Sequence, residues 1–275
     1  MLAAMCATAA RPRSKPAPAA PLPPAASALL RTLYLAAQAL ERWAAPHCVV
    51  CGVCRPEIAE PVCGGCLGDF FDASAPRCTV CAARLLDRPA FAQGNQRNRH
   101  CGRCLAAPPA FDATLALGDY APPLDGMVTA LKFGARLDLA RVFGRLLAAR
   151  AMAAGTDLGR VDAVLAVPLH PVRLKERGFN QSQQIACALA RHWRVPLARR
   201  ALVRTRHRPA QQSLPLAQRR RNVRGSFAPD HLPALRSVAV VDDVMTSGAT
   251  LDEVARVLKG AAVARVVNLV VARTP

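Results

Sequence analysis

Eight of the eleven cysteines stand in four C-x2-C pairs within one short stretch of the chain. The pairs are Cys48/Cys51, Cys63/Cys66, Cys78/Cys81 and Cys101/Cys104. Two thiolates separated by two residues can turn inward from one tight knuckle and supply half of a tetrahedral zinc site. Four knuckles therefore predict two structural Zn²⁺ sites, each with four protein ligands and no position left open for catalysis.

The spacing leaves the grouping of the knuckles open. The simplest grouping is sequential, with the first two pairs on one ion and the last two on the other. An interleaved grouping also fits the spacing, and Cys54 could replace Cys48 or Cys51 in the first knuckle.

Two other uses of paired cysteines fit this sequence less well. A disulfide framework needs an oxidising compartment, whereas the N-terminus lacks a secretory signal, because prolines and not an apolar segment follow its first basic residue, Arg11. A C-x-x-C redox centre would be single and would follow a strand. We therefore expect a cytoplasmic zinc protein.

Composition divides the chain into three parts. Residues 1–27 are an Ala/Pro-rich tail that cannot build a core and is predicted to be disordered. Residues 28–107 are predicted to hold an N-terminal helix, over 28–44, and the double zinc ribbon. Pro108 and Pro109 mark a boundary, and residues 110–275 form the predicted second domain. No apolar run approaches the ~20 residues of a membrane span, so no span is predicted.

The second domain alternates apolar strands with amphipathic helices. Strands are predicted over 161–167, 201–203, 238–241 and 265–272, and helices over 131–154, 182–193 and 249–259. Continuous apolar strands separated by helices predict an α/β fold, in which a parallel sheet is covered by helices on both faces.

The segment from Ser237 to Glu253 carries the most specific functional motif. A buried strand is predicted to end at Asp242 and Asp243, and a small, hydroxyl-rich turn then opens a helix. Ligands of open α/β sheets collect at the carboxyl ends of strands, and backbone N–H groups at a helix N-terminus favour anions. The two carboxylates can accept hydrogen bonds from vicinal hydroxyls, so the motif predicts a sugar-phosphate site. The alternative is that Asp243 or Thr246 merely caps the helix.

The motif VAVVDDVMTSGAT resembles the phosphoribosyl-pyrophosphate (PRPP) loop of the type I phosphoribosyltransferases. The stretches VPLHPVRLKERGFNQSQQIA and AQQSLPLAQRRRNVRGSF, joined to the cysteine pairs, are similar to the ComF family (ComFC and GntX proteins), known for competence and DNA uptake. The resemblance extends from the helix near residue 28 to the C-terminus. It implies a type I phosphoribosyltransferase fold over residues 110–275, preceded by a small double zinc ribbon.

The resemblance also implies a role for each part of the site. Asp242 and Asp243 would hold the ribose 2′- and 3′-hydroxyls, and the turn would hold the 5′-phosphate. The residues of that turn are Met245, Thr246, Ser247, Gly248, Ala249 and Thr250. The pyrophosphate would face Pro168, Leu169, His170, Arg173 and Arg177. A mobile loop would fold over PRPP, with Arg204, Arg206, Gln211 and Arg220 as its lid residues. Mg²⁺ would be held largely by PRPP oxygens and water.

The net charge of +19, from 37 basic and 18 acidic residues, should attract polyanions. Only four of the 37 cations are lysine, and this excess of arginine, beside abundant alanine, is also typical of a codon bias. Aromatic residues make up only 4%, which disfavours strong base stacking.

The sequence is consistent with two functions. The first is a PRPP-binding protein that supports DNA uptake, with single-stranded DNA or DNA-uptake proteins as partners. The second is an active phosphoribosyltransferase of nucleotide or amine salvage with no role on DNA. The sequence contains no recognisable hood for a nucleobase and does not indicate the acceptor.

Overall fold

The computed structural model of the chain describes residues 47–53, 61–71, 75–85, 99–154, 160–206 and 223–274. The predicted tail and the predicted helix over 28–44 lie outside the described residues, as do Cys54, Gln211 and Arg220. Among the described residues, no helix combines the length and hydropathy that crossing a membrane requires.

The described elements alternate along the chain after two short helices in the cysteine-rich part. The helices are α1 (Gly64–Phe70), α2 (Gly102–Ala106), α3 (Leu124–Phe133), α4 (Leu137–Ala153), α5 (Pro171–Arg177), α6 (Gln181–Trp193) and α7 (Ala249–Gly260). The strands are β1 (Ala113–Asp119), β2 (Ala163–Ala166), β3 (Leu202–Arg204), β4 (Phe227–Pro229), β5 (Ser237–Met245) and β6 (Arg265–Arg273).

Four strands form a parallel sheet in the order β1-β6-β5-β2. β5 and β6 are nearly continuous apolar runs because both faces of the sheet are covered by other parts of the chain. This arrangement confirms the predicted α/β class with a parallel sheet. β3 and β4 pair separately as a two-stranded antiparallel ribbon.

Alternate residues of each strand supply two cores, one on each face of the sheet. Ala239 and Val241 of β5 pack with the buried residues of α3, α4 and α6, whereas Val238 and Val240 pack with those of α7. The segment with the first four cysteines contributes Cys48, Cys63 and Cys66 to the core that contains α3, α4 and α6. The segment with the next four contributes Cys78, Cys81 and Cys104 to the core that contains α7. The two cysteine segments therefore pack on opposite faces of the sheet.

Two predicted elements were wrong in extent. The helix predicted over 131–154 is two helices, because α3 ends with its cap at Gly134 and Ala135 adopts a left-handed φ of 50° before α4 begins. The strand predicted over 238–241 continues to Met245, so the two acids lie inside β5 and not after it. Pairing with β6 extends this far, as in the register Asp242↔Val270. The sequence reading also missed β1, β4 and α5.

α4 and α6 approach each other closely at Gly144. A Cβ built on Gly144 would lie 2.6 Å from the Cβ of Ala188 and 2.8 Å from the carbonyl oxygen of Ile185. The absence of a side chain at this position therefore sets the distance between the two helices.

Replacing Gly144 with Ala should push these helices apart and lower the free energy of unfolding by about 1–3 kcal/mol, as overpacked cores do. Gly126→Ala in α3 is the matched control, because a Cβ there meets nothing within 4 Å. The control should gain up to about 1 kcal/mol from helix propensity. Urea denaturation of both variants makes the comparison, and equal behaviour would show that the contact at Gly144 is not tight.

Candidate metal centres and sugar-phosphate site

The eight paired cysteines form two clusters, each built from four sulfurs. Cys48, Cys51, Cys63 and Cys66 make up the first cluster, and Cys78, Cys81, Cys101 and Cys104 the second; within each, the Sγ atoms lie within 4.8 Å of one another. The structure thus groups the knuckles sequentially and not in the interleaved order.

The clusters fit a tetrahedral metal ion. A Zn–S distance of about 2.3 Å places two sulfurs of a tetrahedron about 3.8 Å apart. Cys51 and Cys63 are separated by 3.9 Å, and Cys81 and Cys101 by 3.6 Å, whereas a disulfide would need about 2.05 Å. Backbone N–H groups also donate to the sulfurs: that of Cys63 to Cys48 and that of Cys101 to Cys78, each at 3.3 Å. The residues present can therefore hold two structural Zn²⁺ ions.

The purified chain should contain close to two zinc ions, and Cys81→Ser should reduce this to one, because it removes a ligand of the second cluster. Cys187→Ser is the control, since Cys187 belongs to neither cluster and should leave the zinc content unchanged. Elemental analysis measures the content. Zinc-free protein with oxidised cysteines would contradict the assignment.

The second cluster is tied to the carboxyl end of the sheet through Arg273. This last residue of β6 is only 4% exposed, and its guanidinium donates to the carbonyl oxygens of Cys81 and Met245, both at 3.1 Å. Arg77, beside Cys78, forms an ion pair of 2.8 Å with Asp119 at the end of β1. One buried cation, Arg273, therefore contacts both the knuckle at Cys81 and Met245 at the start of the predicted phosphate turn.

Asp243 is the buried member of the acid pair, with an exposed fraction of 5%. Its Oδ2 accepts a hydrogen bond of 2.7 Å from the side-chain amide of Gln181 and lies 3.0 Å from Nζ of Lys132. A carboxylate removed from water needs such partners to stay ionised. Asp243 on β5 is thereby joined to α3 and to the first residue of α6.

Asp242 lies beside it and is half-buried. Its Oδ1 accepts from the hydroxyl of Ser182 and from the backbone N–H of Asp243, both at 2.9 Å. Within the described part of the chain no group donates to its Oδ2. The helix-capping alternative is wrong, because the N-cap of α7 is Gly248, and the side chain that accepts from the first N–H of the helix, that of Ala249, is Ser247 and not Asp243 or Thr246.

The turn between β5 and α7 is compact. Gly248 has a left-handed φ of 79°, and a Cβ there would lie 2.6 Å from Cε of Met245, so this position requires glycine. Over the described residues, the backbone N–H groups of Thr246, Ser247 and Thr250 donate to no other protein atom. Together with the N-terminus of the twelve-residue α7, these donors can receive an anion.

The residues predicted on the pyrophosphate side follow β2 at the same edge of the sheet. Pro168, Leu169 and His170 are half-buried, and Nδ1 of His170 accepts from the N–H of Val172 to cap α5. Arg173 is exposed and pairs with Glu176.

Arg177 is linked to the acid pair through one side chain, that of Gln181. It donates to Oε1 of Gln181 at 2.6 Å, while the amide of Gln181 donates to Asp243. Its guanidinium also lies 5.3 Å from the ring centroid of Phe133. A relay from cation to amide to carboxylate therefore orients this edge of the site.

Of the predicted lid residues, the structure describes Arg204 and Arg206. Arg204 stacks over the ring of Phe227 at 5.4 Å, and its buried Nε has no hydrogen-bond partner in the described structure. Burial lowers the pKa of Arg204, an effect that the nearby charge of Asp242 opposes and that of Arg173 reinforces. Arg206 lies beside Gly225 at the other end of the loop.

Burial raises the pKa of Asp242 to about 7, and the charge of Asp243 adds to this effect. The folded state therefore binds this proton more tightly than the unfolded state, where the pKa is near 3.8. The resulting stability is full below about pH 4 and is lost as the pH rises through about 7.

The melting temperature of the wild type should accordingly fall more between about pH 5 and pH 8 than that of Asp242→Asn, which has no carboxyl to titrate. Asp138→Asn is the control, because Arg136 lowers the pKa of Asp138 and removes its titration from this range. Parallel pH curves for all three proteins would contradict the raised pKa.

Two residues of this region were missed in the sequence analysis. Lys132 pairs with Asp243, and Arg273 joins the second cluster to the turn. The rarity of lysine could have indicated Lys132, because it is one of four lysines in a chain with 37 basic residues. Arg273 could have been noticed because it is a charged residue at the end of an otherwise apolar strand.

Comparison with known proteins finds relatives over most of the chain. It is 35% identical over 198 residues to DNA utilization protein YhgH of Escherichia coli, which covers 69% of this chain and 87% of that protein. It is 31% identical over 204 residues to competence protein F of Haemophilus influenzae, which covers 72% of this chain and 84% of that protein. The YhgH protein of Salmonella typhimurium is 34% identical over 199 residues, with 69% and 87% covered. No protein-family model matches the chain.

Proposed function

Because the chain belongs to the ComF family, the family of these competence and DNA utilization proteins, we propose that it binds PRPP or a related ribose phosphate and acts in DNA uptake. The names of the relatives support the role in DNA uptake. The observation that carries the ligand is the acid pair on β5, followed at once by a turn with unpaired backbone donors at the start of α7.

The acid pair is suited to a vicinal diol. Ser182 holds Asp242 in place and Gln181 holds Asp243, independently of any ligand. Binding therefore costs little further side-chain conformational entropy. Oδ2 of Asp242 has no donor among the described groups and can accept from a ribose hydroxyl. The proposal therefore gives Asp242 the direct contact with the sugar, while Asp243 also holds Lys132.

The 5′-phosphate lies in the turn in this proposal. The N–H groups of Thr246, Ser247 and Thr250 donate to its oxygens, and the dipole of α7 adds a favourable field. The small side chains of the turn let the phosphate approach the backbone. Arg204 and Arg177 supply positive charge for a pyrophosphate group.

The described residues form no dedicated cage for magnesium. In the described part of the chain, the groups of three or more His, Cys, Asp or Glu side chains that could hold a metal are the two cysteine clusters. Mg²⁺ keeps several waters and is commonly bound through substrate phosphates, so it would neutralise the pyrophosphate as part of the ligand.

Transfer chemistry at this site is the second candidate function. It is favoured by Arg204, a predicted lid residue on whose pKa the charge of Asp242 acts, so that the lid loop would begin near the diol. In such a reaction a nitrogen nucleophile forms a bond to C1 of the ribose while the bond to pyrophosphate breaks. Orientation of PRPP and exclusion of water by the lid would carry the catalysis. PRPP consumption with a panel of amines tests for turnover.

Asp242→Asn should weaken PRPP binding about 10- to 100-fold, the usual loss for a hydrogen bond to a charged group. Isothermal calorimetry in the presence of Mg²⁺ measures the affinity. Asp138→Asn, on the exposed start of α4, should bind like the wild type. Unchanged affinity in a folded Asp242→Asn protein would mean that the sugar is held elsewhere.

Asp243 is unsuitable as the first variant. Its replacement leaves Lys132 without its carboxylate, and breaking a buried pair typically costs about 3–5 kcal/mol. Loss of binding in Asp243→Asn would therefore mix the loss of a ligand contact with a change in folding.

A further inference from the structure

A groove between α4 and α6 lies apart from the acid pair and the turn. Its volume is about 600 Å³, and the cysteine segment that carries the first cluster closes one side. We call it the α4/α6 groove; its lining includes Val49, Pro61, Arg141, Arg145, Ala188 and Arg191. None of these residues has a part in the sugar-phosphate site.

The groove is strongly positive. Arg141, Arg145 and Arg191 are exposed, and within the described residues none of them forms an ion pair with a carboxylate. Asp138 also borders the groove, but Arg136 holds its two carboxylate oxygens at 2.9 and 2.6 Å. Three cations therefore face the groove against one carboxylate that is already neutralised.

The positions of the arginines follow from the helices. Arg141 and Arg145 are four residues apart on α4, so they lie one turn, or about 6 Å, from each other along one face. Arg191 lies on α6, three residues after Ala188, where Gly144 brings the two helices together. The two helices thus form a narrow groove with cations on both rims.

The floor of the groove is apolar but not aromatic. Val49, Val142 and Ala188 line it, and the lining contains no Phe, Tyr or Trp side chain on which a base could stack; its one ring is the imidazole of the exposed His192. Such a surface can contact phosphates and sugars but offers little readout of sequence.

We propose that the α4/α6 groove binds the sugar-phosphate backbone of single-stranded nucleic acid, independently of its sequence. This inference rests on the proposed role in DNA uptake and identifies the surface that would contact the DNA. A concave groove between two helices suits a flexible strand better than a rigid duplex. Arginine donors suit phosphate oxygens, with which they can form two parallel hydrogen bonds.

The test compares two double variants of the full chain that remove the same charge. Arg141→Gln/Arg145→Gln changes the groove, and Arg160→Gln/Arg236→Gln changes two exposed arginines that precede β2 and β5 and do not line it. The probe is a fluorescent oligothymidine, titrated by anisotropy over a range of NaCl concentrations. Melting temperatures establish that both variants are folded.

The groove variant should bind about tenfold or more weakly, and the slope of log K against log[salt] should become shallower by about 1.4, or 0.7 for each lost phosphate contact. The control variant should retain most of the affinity and the full slope. Equal losses in the two variants would overturn the inference, because they would mean that overall charge carries the binding. Wild-type affinity in the groove variant would overturn it too, because the groove arginines would then contribute nothing to binding.

Two competitors test the class of the partner. Duplex DNA of equal phosphate content should displace the probe less well than unlabelled single strand, and polyglutamate should displace it least. Displacement by polyglutamate as effective as by single strand would overturn the inference in favour of an acidic protein partner. If the wild type binds no oligonucleotide at low salt but binds PRPP in calorimetry, the groove inference fails while the sugar-phosphate proposal stands.

Discussion

The buried carboxylate of Asp243 is the contact on which the candidate site depends. Its position inside β5 removes it from water, so it must be matched by a cation and a hydrogen-bond donor. Lys132 at the end of α3 and Gln181 at the start of α6 meet that need. Because three elements converge on one side chain, the carboxyl edge of the sheet is held in shape without any ligand. Asp242 and the turn before α7, which lie at the same edge, are therefore held in a defined position as well.

The two cysteine clusters pack into the two cores that flank the sheet. The first packs into the core under α3, α4 and α6, and the second into the core under α7. Arg273 also joins the second cluster to Met245, the last residue of β5 and the first of the predicted phosphate turn. A metal in this cluster would therefore support the same backbone that the proposal assigns to phosphate binding.

Much of this architecture could be predicted because it rests on local patterns. Four C-x2-C pairs indicate two four-sulfur clusters, and apolar strands alternating with helices indicate a covered parallel sheet. The motif around Asp242 and Asp243 likewise stood out by its spacing. The partners of these acids could not be predicted, since Lys132 and Gln181 meet Asp243 only through the packing of α3 and α6 around β5. The break at Ala135 was missed because its left-handed backbone is adopted by a residue that normally favours helix.

The strand order has a consequence for how the chain acquires its structure during synthesis. In the described sheet the neighbour of β1 is β6, which lies about 150 positions later, as in the hydrogen bond between Thr114 and Asn268. A nascent chain must therefore keep β1 unmatched until its last strand has left the ribosome, and pairing over such a separation is slow. Truncation at about residue 264 would remove an interior strand and leave two apolar edges open to aggregation.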